Sequence, residues 1–461
     1  MPSITYDRFD GGFDLRKGAS VSDANRLRQL INAYITTGRA IRMRPGLTSV
    51  ATLETGTKGL VAANGKLNTF YESGTITHAN SLFLANKVAH PSVSQLVKKV
   101  HHADQFDGYI YASIEYADGS IWHHYLDGGS PTHIADANCP HSASWIKMSS
   151  KIWALNGDTA PFSATGLPRN WSLADDAGFL PIGLQQAGGD NAKALGQRDR
   201  DLVVFFPNNS QIWVPDPDPA LHVFKKPIHG VGTNFGGSVG QVSDDNYFLS
   251  DFGFRSITVA KNGNLTDMDV GSPIDKEVQP LVNGSIEPLS LYYSGGGQYW
   301  CTIGASVFVY TFSRSMRLSA WSEYQLPVGF DAIAELNGTL YIRVGDEVYS
   351  LDPNATNDYG TDFEVTIELP FLDFKKPGVL KQIVGMDAIV EGSMDIQFRW
   401  DPNDASLITE KIPLTGDTQV NAMTPIGITA TQVAPVITAS SANGVCQLDS
   451  LTFYYDILGV M

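Results

Sequence analysis

Charged residues and cysteines are both scarce in this chain. Only 17% of its 461 residues are charged, whereas it contains 44 glycines and 24 prolines. With its many threonine, serine, valine and tyrosine residues, this composition favours strands joined by turns over helical bundles. The three cysteines, Cys139, Cys301 and Cys446, lie far apart, which excludes a disulfide framework and a CxxC site. We therefore expect a mainly β protein that assembles in a reducing cytoplasm.

Long apolar runs are also missing. The opening sequence MPSITYDRFDGG lacks the apolar stretch of a signal peptide. No run of about 18 apolar residues follows, so we expect no membrane insertion of this chain. A location outside the cell would need a route other than secretion.

Hairpin patterns fill the middle of the chain. Single hydrophobic cores stop growing near roughly 250–300 residues, so a chain of this length needs several cores. Pairs of short β runs joined by tight turns recur at intervals that bracket the length of a propeller blade. We therefore predict an irregular β-propeller of about six or seven blades over residues 49–360, with an irregular multi-sheet structure as the alternative. The hairpin patterns occupy residues 108–127, 151–166, 202–215, 246–260, 298–312 and 339–353.

The two ends of the chain differ from this middle part. Residues 361–461 contain several alternating strand patterns separated by turn residues, which predicts a C-terminal β-sandwich. Near the start, SDANRLRQLINAYIT shows apolar residues at helical spacing, with Ser22 as a cap and Gly38 as a stop. We therefore predict a short N-terminal segment, residues 1–48, that contains one helix.

Positive charge is concentrated in this first segment. Residues 1–46 hold seven arginines and one lysine against four aspartates, a net charge of about +4, although the whole chain carries −16. Arginine forms paired hydrogen bonds to carboxylates, so the excess of arginine over lysine favours an interface. The alternative is a solvated face with internal salt bridges. The candidate docking residues are Arg16, Arg26, Arg28, Arg39, Arg42 and Arg44.

The sequence contains partial matches to catalytic and metal-binding motifs, but each lacks a residue or a spacing that the chemistry requires. Residues 236–240 match GxSxG, but no histidine follows His229, so the order of an esterase triad is impossible. Residues 59–67 resemble a P-loop with the wrong spacing, and Leu67 stands where a magnesium-binding hydroxyl belongs. Eight of the ten histidines lie between His78 and His141 without the spacing of a zinc site. The blade arginines are too dispersed to predict an arginine trio for a carboxylated sugar. We predict a non-enzymatic protein without cofactor or metal.

Three segments resemble one protein family. AWSEYQLPVGFDAIAELNGTLYIRVGDEVYSLD (320–352) resembles the final-blade signature of phage tail proteins, and FLDFKKPGVLKQIVGMDAIVEGSMDIQFRWDPND (371–404) resembles their C-terminal sandwich. The opening, with a Gly-Gly pair, a predicted helix and an R-x-R-P-G-L string, is similar to their entry segment. The family is the packaged-DNA stabilisation, or tail nozzle (hub), proteins of short-tailed bacteriophages.

The resemblance implies a structural role in a virion tail. Members of this family form a ring, here expected to be a homohexamer, below the portal and its head–tail adaptor protein. The ring holds the packaged genome and conducts it during ejection, so double-stranded DNA is expected in the lumen without sequence readout. The basic segment would dock onto the adaptor or a neighbouring copy, and fibre, tailspike or plug proteins would attach elsewhere. The alternative is a carbohydrate-binding or glycan-cleaving propeller that acts as a receptor-binding tail component.

Overall fold

The computed structural model describes residues 1–172, 176–186, 188–216, 218–262, 269–284, 286–327, 329–416 and 423–460. Within these ranges the chain forms 38 β-strands and two short α-helices, α1 (Ile257–Asn262) and α2 (Asp275–Val278). The predicted mainly β fold is confirmed. Neither of these helices is long and apolar enough to cross a bilayer.

Seven antiparallel or mixed sheets follow one another in the described chain and form the blades of a propeller. Blade 1 combines β7 (Gly46–Thr52) from near the N-terminus with β29 (Ala332–Leu336), β30 (Thr339–Val344) and β31 (Glu347–Asp352). Because β7 pairs with β31, strands from two distant parts of the chain close the ring. Blades 2 to 4 contain β8 (Lys58–Ala63), β9 (Lys66–Tyr71) and β10 (Phe83–Lys87); β11 (Val97–Phe106), β12 (Tyr109–Tyr116) and β13 (Ile121–Tyr125); and β14 (Trp145–Met148), β15 (Lys151–Ala154), β16 (Ala160–Phe162) and β17 (Gly178–Leu180).

The remaining three blades lead towards the C-terminal part. They contain β18 (Ala194–Arg198), β19 (Asp201–Phe205), β20 (Asn209–Val214) and β21 (Val223–His229) in blade 5; β22 (Gly240–Val242), β23 (Asp245–Ser250) and β24 (Gly253–Ser256) in blade 6; and β25 (Ser290–Tyr293), β26 (Gln298–Ile303), β27 (Ser306–Ser313) and β28 (Leu318–Gln325) in blade 7.

Local turn chemistry explains several hairpins. Asn337 and Gly338 join β29 to β30 with positive φ angles of 52° and 78°. Asp107 and Gly108 join β11 to β12 in the same way, with φ angles of 46° and 80°. Two successive residues with positive φ match the right-handed twist of the flanking strands, and Asn-Gly and Asp-Gly pairs adopt this conformation readily.

A separate hydrophobic cluster fills the junction between each pair of neighbouring blades. A blade cannot bury both faces of its sheet by itself, so these junctions hold the ring together. The clusters include Phe70 between blades 2 and 3, Tyr111 between blades 3 and 4, Trp153 between blades 4 and 5, Phe248 between blades 5 and 6, Phe254 between blades 6 and 7, Leu340 between blades 7 and 1, and Leu60 between blades 1 and 2.

The C-terminal strands form a sandwich that is continuous with blade 7. One sheet extends from β25–β28 through β4 (Gln29–Ile31) to β32 (Glu364–Glu368), β37 (Ala434–Ser440), β34 (Ser393–Arg399) and β35 (Ile412–Thr415). The second sheet contains β1 (Ser3–Tyr6), β5 (Ala33–Ile35), β6 (Ile41–Met43), β33 (Val379–Glu391), β36 (Thr424–Ala430) and β38 (Gln447–Val460). A small parallel pair, β2 (Gly12–Phe13) and β3 (Arg26–Leu27), lies beside them. One hydrophobic cluster spans blades 6 and 7 and both sandwich sheets.

The predicted N-terminal helix is wrong. Strands β3, β4 and β5 occupy the stretch that shows helical spacing, and Asn32 breaks it with a φ of 55°. The amide of Arg28 donates to the carbonyl of Glu368, and the amide of Asn32 donates to the carbonyl of Glu323. Distant strands thus supply the backbone partners that a helix would have found locally, and tertiary pairing overrides a weak helical propensity. Within residues 1–48, β1, β5 and β6 pair with strands of the sandwich, and β4 pairs with both blade 7 and the sandwich.

Candidate functional site

The predicted docking segment lines a cleft between the propeller and the sandwich, which we call the junction cleft. Its volume is about 490 Å³. The lining residues come from the end of β5, the β5–β6 turn, β6, the connection after β31 and the start of β38. They are Tyr34, Thr36, Thr37, Gly38, Arg42, Met43, Arg44, Pro45, Pro353, Ala355, Val445 and Gln447.

Arg44 is buried, and its side chain is occupied within the chain. Its guanidinium forms a paired contact with the carboxylate of Asp358, with Nη1–Oδ1 and Nη2–Oδ2 distances of 2.9 and 2.6 Å. Its Nε donates to Oδ1 of Asn32 at 2.9 Å, and its remaining hydrogens reach the carbonyls of Pro45 and Gln325. The guanidinium carbon also lies 3.8 Å from the ring centre of Phe363.

This geometry corrects the role predicted for Arg44. All five N–H groups of a guanidinium have acceptors here, and a buried charge requires such complete pairing. The residue joins the N-terminal segment, blade 7 and the sandwich, and its side chain has no hydrogen left for an outside partner.

Arg16 and Arg26 converge on one buried carboxylate. Asp14 is 1% exposed, and it accepts hydrogen bonds from Arg16 Nη2 at 2.5 Å and from Arg26 Nη1 at 2.8 Å. Burial by itself raises the pKa of Asp14, but the hydrogen bonds from Arg16 and the charge of Arg26 outweigh it, and the pKa is lowered. The alternative to docking, a face with internal salt bridges, therefore applies to these two arginines.

The other three candidates remain partly accessible. Arg28 donates to the carbonyl of Lys17 at 2.9 Å. Arg39 lies 3.8 Å from the carboxylate of Asp10 with 31% of its side chain exposed. Arg42 donates to Oε1 of Gln447 at 3.0 Å and is 37% exposed. Arg42 alone among these three lines the junction cleft.

A second cleft, which we call the aromatic cleft, lies between blades 6 and 7. Its volume is about 500 Å³, and partly buried aromatic rings line it together with arginines from different blades. The lining residues are Arg198, Val242, Ser243, Asp244, Asp245, Tyr247, Thr258, Tyr310, Phe312, Ser313, Arg314, Arg317, Leu318 and Ser319. Sequence reasoning missed this site, because Arg198 is more than one hundred residues from Arg314 and Arg317 along the chain.

The residues of the rejected motifs have structural partners. Ser238 is buried, and its hydroxyl donates to the carbonyl of Phe235 and accepts from the amide of Leu249. Burial lowers the pKa of His123 to about 4 and that of His124 to about 3, so both rings are neutral at pH 7. Each ring is hydrogen-bonded to a buried tyrosine, Tyr111 or Tyr116. Among the described residues, no group of three or more histidine, cysteine, aspartate or glutamate side chains could hold a metal ion.

Comparisons with known proteins do not place the chain in a family. No protein-family model matches it, and no curated protein matches it. Similar solved structures include the Pan2 WD40 domain of Neurospora crassa, which is 9% identical over 72% of this chain and 96% of that domain, with a TM-score of 0.38. A chain of a mitotic checkpoint complex is 12% identical over 69% of this chain and 95% of that chain, with a TM-score of 0.37. The designed protein Ika8 is 10% identical over 67% of this chain and 99% of that chain, with a TM-score of 0.35. At these scores, the assignment of this chain to the β-propeller fold depends on its own strand order and blade junctions.

Proposed function

We propose that this chain is a non-enzymatic structural protein of a short-tailed bacteriophage tail. In this proposal its copies form a closed ring, a homohexamer, below the portal and the head–tail adaptor protein. The ring retains packaged DNA and conducts it during ejection. The protein assembles in the host cytoplasm and remains in the tail of the virion.

The observation that carries this proposal is the continuous sheet from blade 7 to the sandwich. Strand β4 lies between β28 and β32 and hydrogen-bonds to both, so propeller and sandwich share one nine-stranded sheet. Domains that move relative to each other are usually joined by exposed linkers with few contacts between them. A sheet that crosses the junction, reinforced by the buried Arg44–Asp358 pair, suits a rigid wall segment.

The charge distribution supports a conduit for DNA. Residues 47–461 carry a net charge of about −20, because the basic residues concentrate in the first segment. Double-stranded DNA carries one negative charge per about 1.7 Å, and a basic wall would hold it through counterion release. An acidic wall leaves the phosphates free to slide and provides no sequence readout.

Fewer arginines are available for docking in this proposal than the sequence predicts. Arg39 and Arg42 keep the largest exposed fractions among the candidates with resolved ion pairs. Arg39 lies in the β5–β6 turn, and Arg42 lies in β6. An acidic segment of the adaptor or of a neighbouring copy would meet Arg42 at the junction cleft and Arg39 on the adjoining turn. Fibre, tailspike or plug proteins attach to other surfaces in this proposal.

Electron microscopy of the purified full-length chain tests this function. We expect closed rings with an axial channel, either in the protein alone or after it is mixed with the adaptor ring. Light scattering should give a mass that is a whole multiple of the monomer. A strictly monomeric particle in the presence of adaptor and virion tails would contradict the proposal, as would a channel constriction lined by lysine and arginine.

A further inference from the structure

We propose that the aromatic cleft between blades 6 and 7 binds a saccharide that carries an anionic group. This inference concerns a different surface from the junction cleft and does not depend on ring formation. It rests on the size of the cleft, on a shelf of aromatic rings, and on two exposed arginines beside that shelf.

The size of the cleft suits a small saccharide. Its volume of about 500 Å³ lies within the range of roughly 300–1,000 Å³ that is typical of small-molecule sites. The turn between β22 and β23 contributes one side, and the turn between β27 and β28 contributes the other. Each turn joins two antiparallel strands of its own blade, β22 to β23 and β27 to β28.

Three aromatic rings, which we call the aromatic shelf, line the cleft. Tyr310 and Phe312 lie on the same face of β27, with ring centres 5.9 Å apart and ring planes inclined by 23°. Tyr247 stands edge-on to Tyr310, with ring centres 5.7 Å apart. The apolar surface of these rings offers a packing partner for the C–H face of a pyranose ring. A tyrosine with its ordinary pKa of about 10 is protonated at neutral pH, and burial raises the pKa of Tyr247 and of Tyr310 further, so both hydroxyls are potential donors to sugar oxygens.

Two arginines supply the positive charge. Arg314 and Arg317 are exposed on the β27–β28 turn, and no carboxylate of the described residues forms an ion pair with either of them. Arg198 is less available, because its Nε donates to the Thr258 hydroxyl at 3.1 Å. Guanidinium groups bind carboxylate, sulfate or phosphate through paired hydrogen bonds. In a chain with a net charge of −16, two unpaired arginines beside an aromatic shelf point to an anionic ligand.

Of the two aspartates that line the cleft, Asp245 accepts hydrogen bonds from the Ser256 hydroxyl and the Thr258 amide, and the exposed Asp244 distinguishes a saccharide from a nucleic acid. Asp244 is exposed and lines the same cleft as Arg314. Its carboxylate can accept hydrogen bonds from sugar hydroxyls, whereas it would repel the regularly spaced phosphates of a polynucleotide. The combination of a carboxylate, guanidinium groups and rings therefore favours a sugar with one anionic substituent.

The experiment is a saccharide-array screen of the full-length protein, followed by calorimetric titration of the strongest binder. The array contains uronic acids, sialic acid, sulfated galactose, phosphorylated mannose and their neutral counterparts, which separates carboxylate, sulfate and phosphate as the anionic group. We expect binding of at least one acidic saccharide and none of its neutral counterpart. The double variant R314Q/R317Q should weaken that binding at least about tenfold. The variant F312A should weaken it about two- to tenfold.

The controls make each outcome decisive. The variant R8Q removes an exposed arginine outside the cleft and should leave saccharide binding unchanged. Three results would overturn the proposal: no acidic saccharide bound above its neutral counterpart, inorganic phosphate alone bound as tightly as the sugar, or a single-stranded oligothymidylate preferred over every saccharide. Unchanged affinity in R314Q/R317Q would also overturn it. Arg314 and Arg317 lie on an exposed turn, whereas Phe312 is a partly buried residue of β27. A thermal melt of each variant therefore accompanies the binding measurement and shows whether it remains folded.

Discussion

The N-terminal basic segment and the aromatic cleft both gather arginines, but they do so in opposite ways. In the basic segment the arginines are neighbours in sequence, and Arg16, Arg26 and Arg44 are bound to buried carboxylates of the same chain. In the aromatic cleft Arg198 and Arg317 come from separate blades, and Arg317 has no ion pair among the described residues. Clustering of charge along a sequence therefore does not predict which charges are free to bind a partner.

The largest expected effect is the loss of the buried guanidinium in the variant R44M. It would leave the carboxylate of Asp358 buried without a partner, which typically costs about 3–5 kcal/mol of unfolding free energy. Urea unfolding followed by circular dichroism measures this change. The double variant R44M/D358L is the matched control and should recover much of the loss, because no unpaired charge remains. If R44M is as stable as the parent chain, Arg44 contributes as little to the unfolding free energy as the exposed arginines do.

Removing the negative charge that Arg16 and Arg26 share should have a smaller effect. The variant D14N keeps the shape of the side chain but loses its charge, and we expect a loss of about 1–3 kcal/mol. Because the pKa of Asp14 is lowered in the folded chain, its contribution is present above the ordinary aspartate pKa of about 3.9 and disappears as the pH falls through the folded value. The parent chain should therefore lose stability more steeply below about pH 4 than D14N does. The exposed Asp23 provides the control D23N, which should change the unfolding free energy by less than D14N.

The two accessible arginines should matter for assembly more than for folding. The variant R39Q/R42Q removes contacts that are partly exposed, so we expect an unfolding free energy within about 1 kcal/mol of the parent chain. Ring formation should require a higher protein concentration, which sedimentation or light scattering can measure. R8Q serves as the control for a neighbouring exposed charge. If R39Q/R42Q assembles at the same concentration as the parent chain, Arg39 and Arg42 form internal salt bridges, as Arg16 and Arg26 do, and are not docking residues.

The smallest stability effect is expected in the aromatic cleft. R314Q/R317Q should change the unfolding free energy by no more than about 0.5 kcal/mol, because exposed side chains without partners contribute little to folding. Thermal unfolding monitored by tryptophan fluorescence is sufficient for this measurement. A loss comparable to that of R44M would mean that the two basic regions are structurally alike, and the comparison between them would fail.

Several parts of the fold could be predicted because their signals are local. The hairpin turn at Asn337–Gly338 and the alternating pattern of β34 follow from neighbouring residues. The helix predicted over residues 22–36 failed for the opposite reason, since the partners of β4 are Glu323 on one side and Thr366 on the other. No local pattern reports a hydrogen-bond partner that lies some three hundred residues away.

The candidate sites show the same difference between what local sequence predicts and what tertiary packing decides. The sequence predicts both Arg42 and Arg44 as docking residues, and both line the junction cleft, but Arg42 is 37% exposed whereas Arg44 is buried. The two-residue period of a strand would place Arg42 and Arg44 on the same face, so only the packed structure shows that one stays partly exposed and the other is buried. The aromatic cleft had no sequence signal, because its residues meet only after blades 5, 6 and 7 stack.

By itself, the sequence determined the β class, the repeated hairpins and the contrast between a basic start and an acidic body. These properties depend on composition, on turn residues and on the two-residue period of strands, all of which act over a few residues. The tertiary structure alone decided that the start of the chain forms strands, that Arg44 is a buried clamp, and that distant arginines share one cleft. Those outcomes depend on pairing between strands far apart in sequence and on the desolvation of charge, which arise only when the chain is packed.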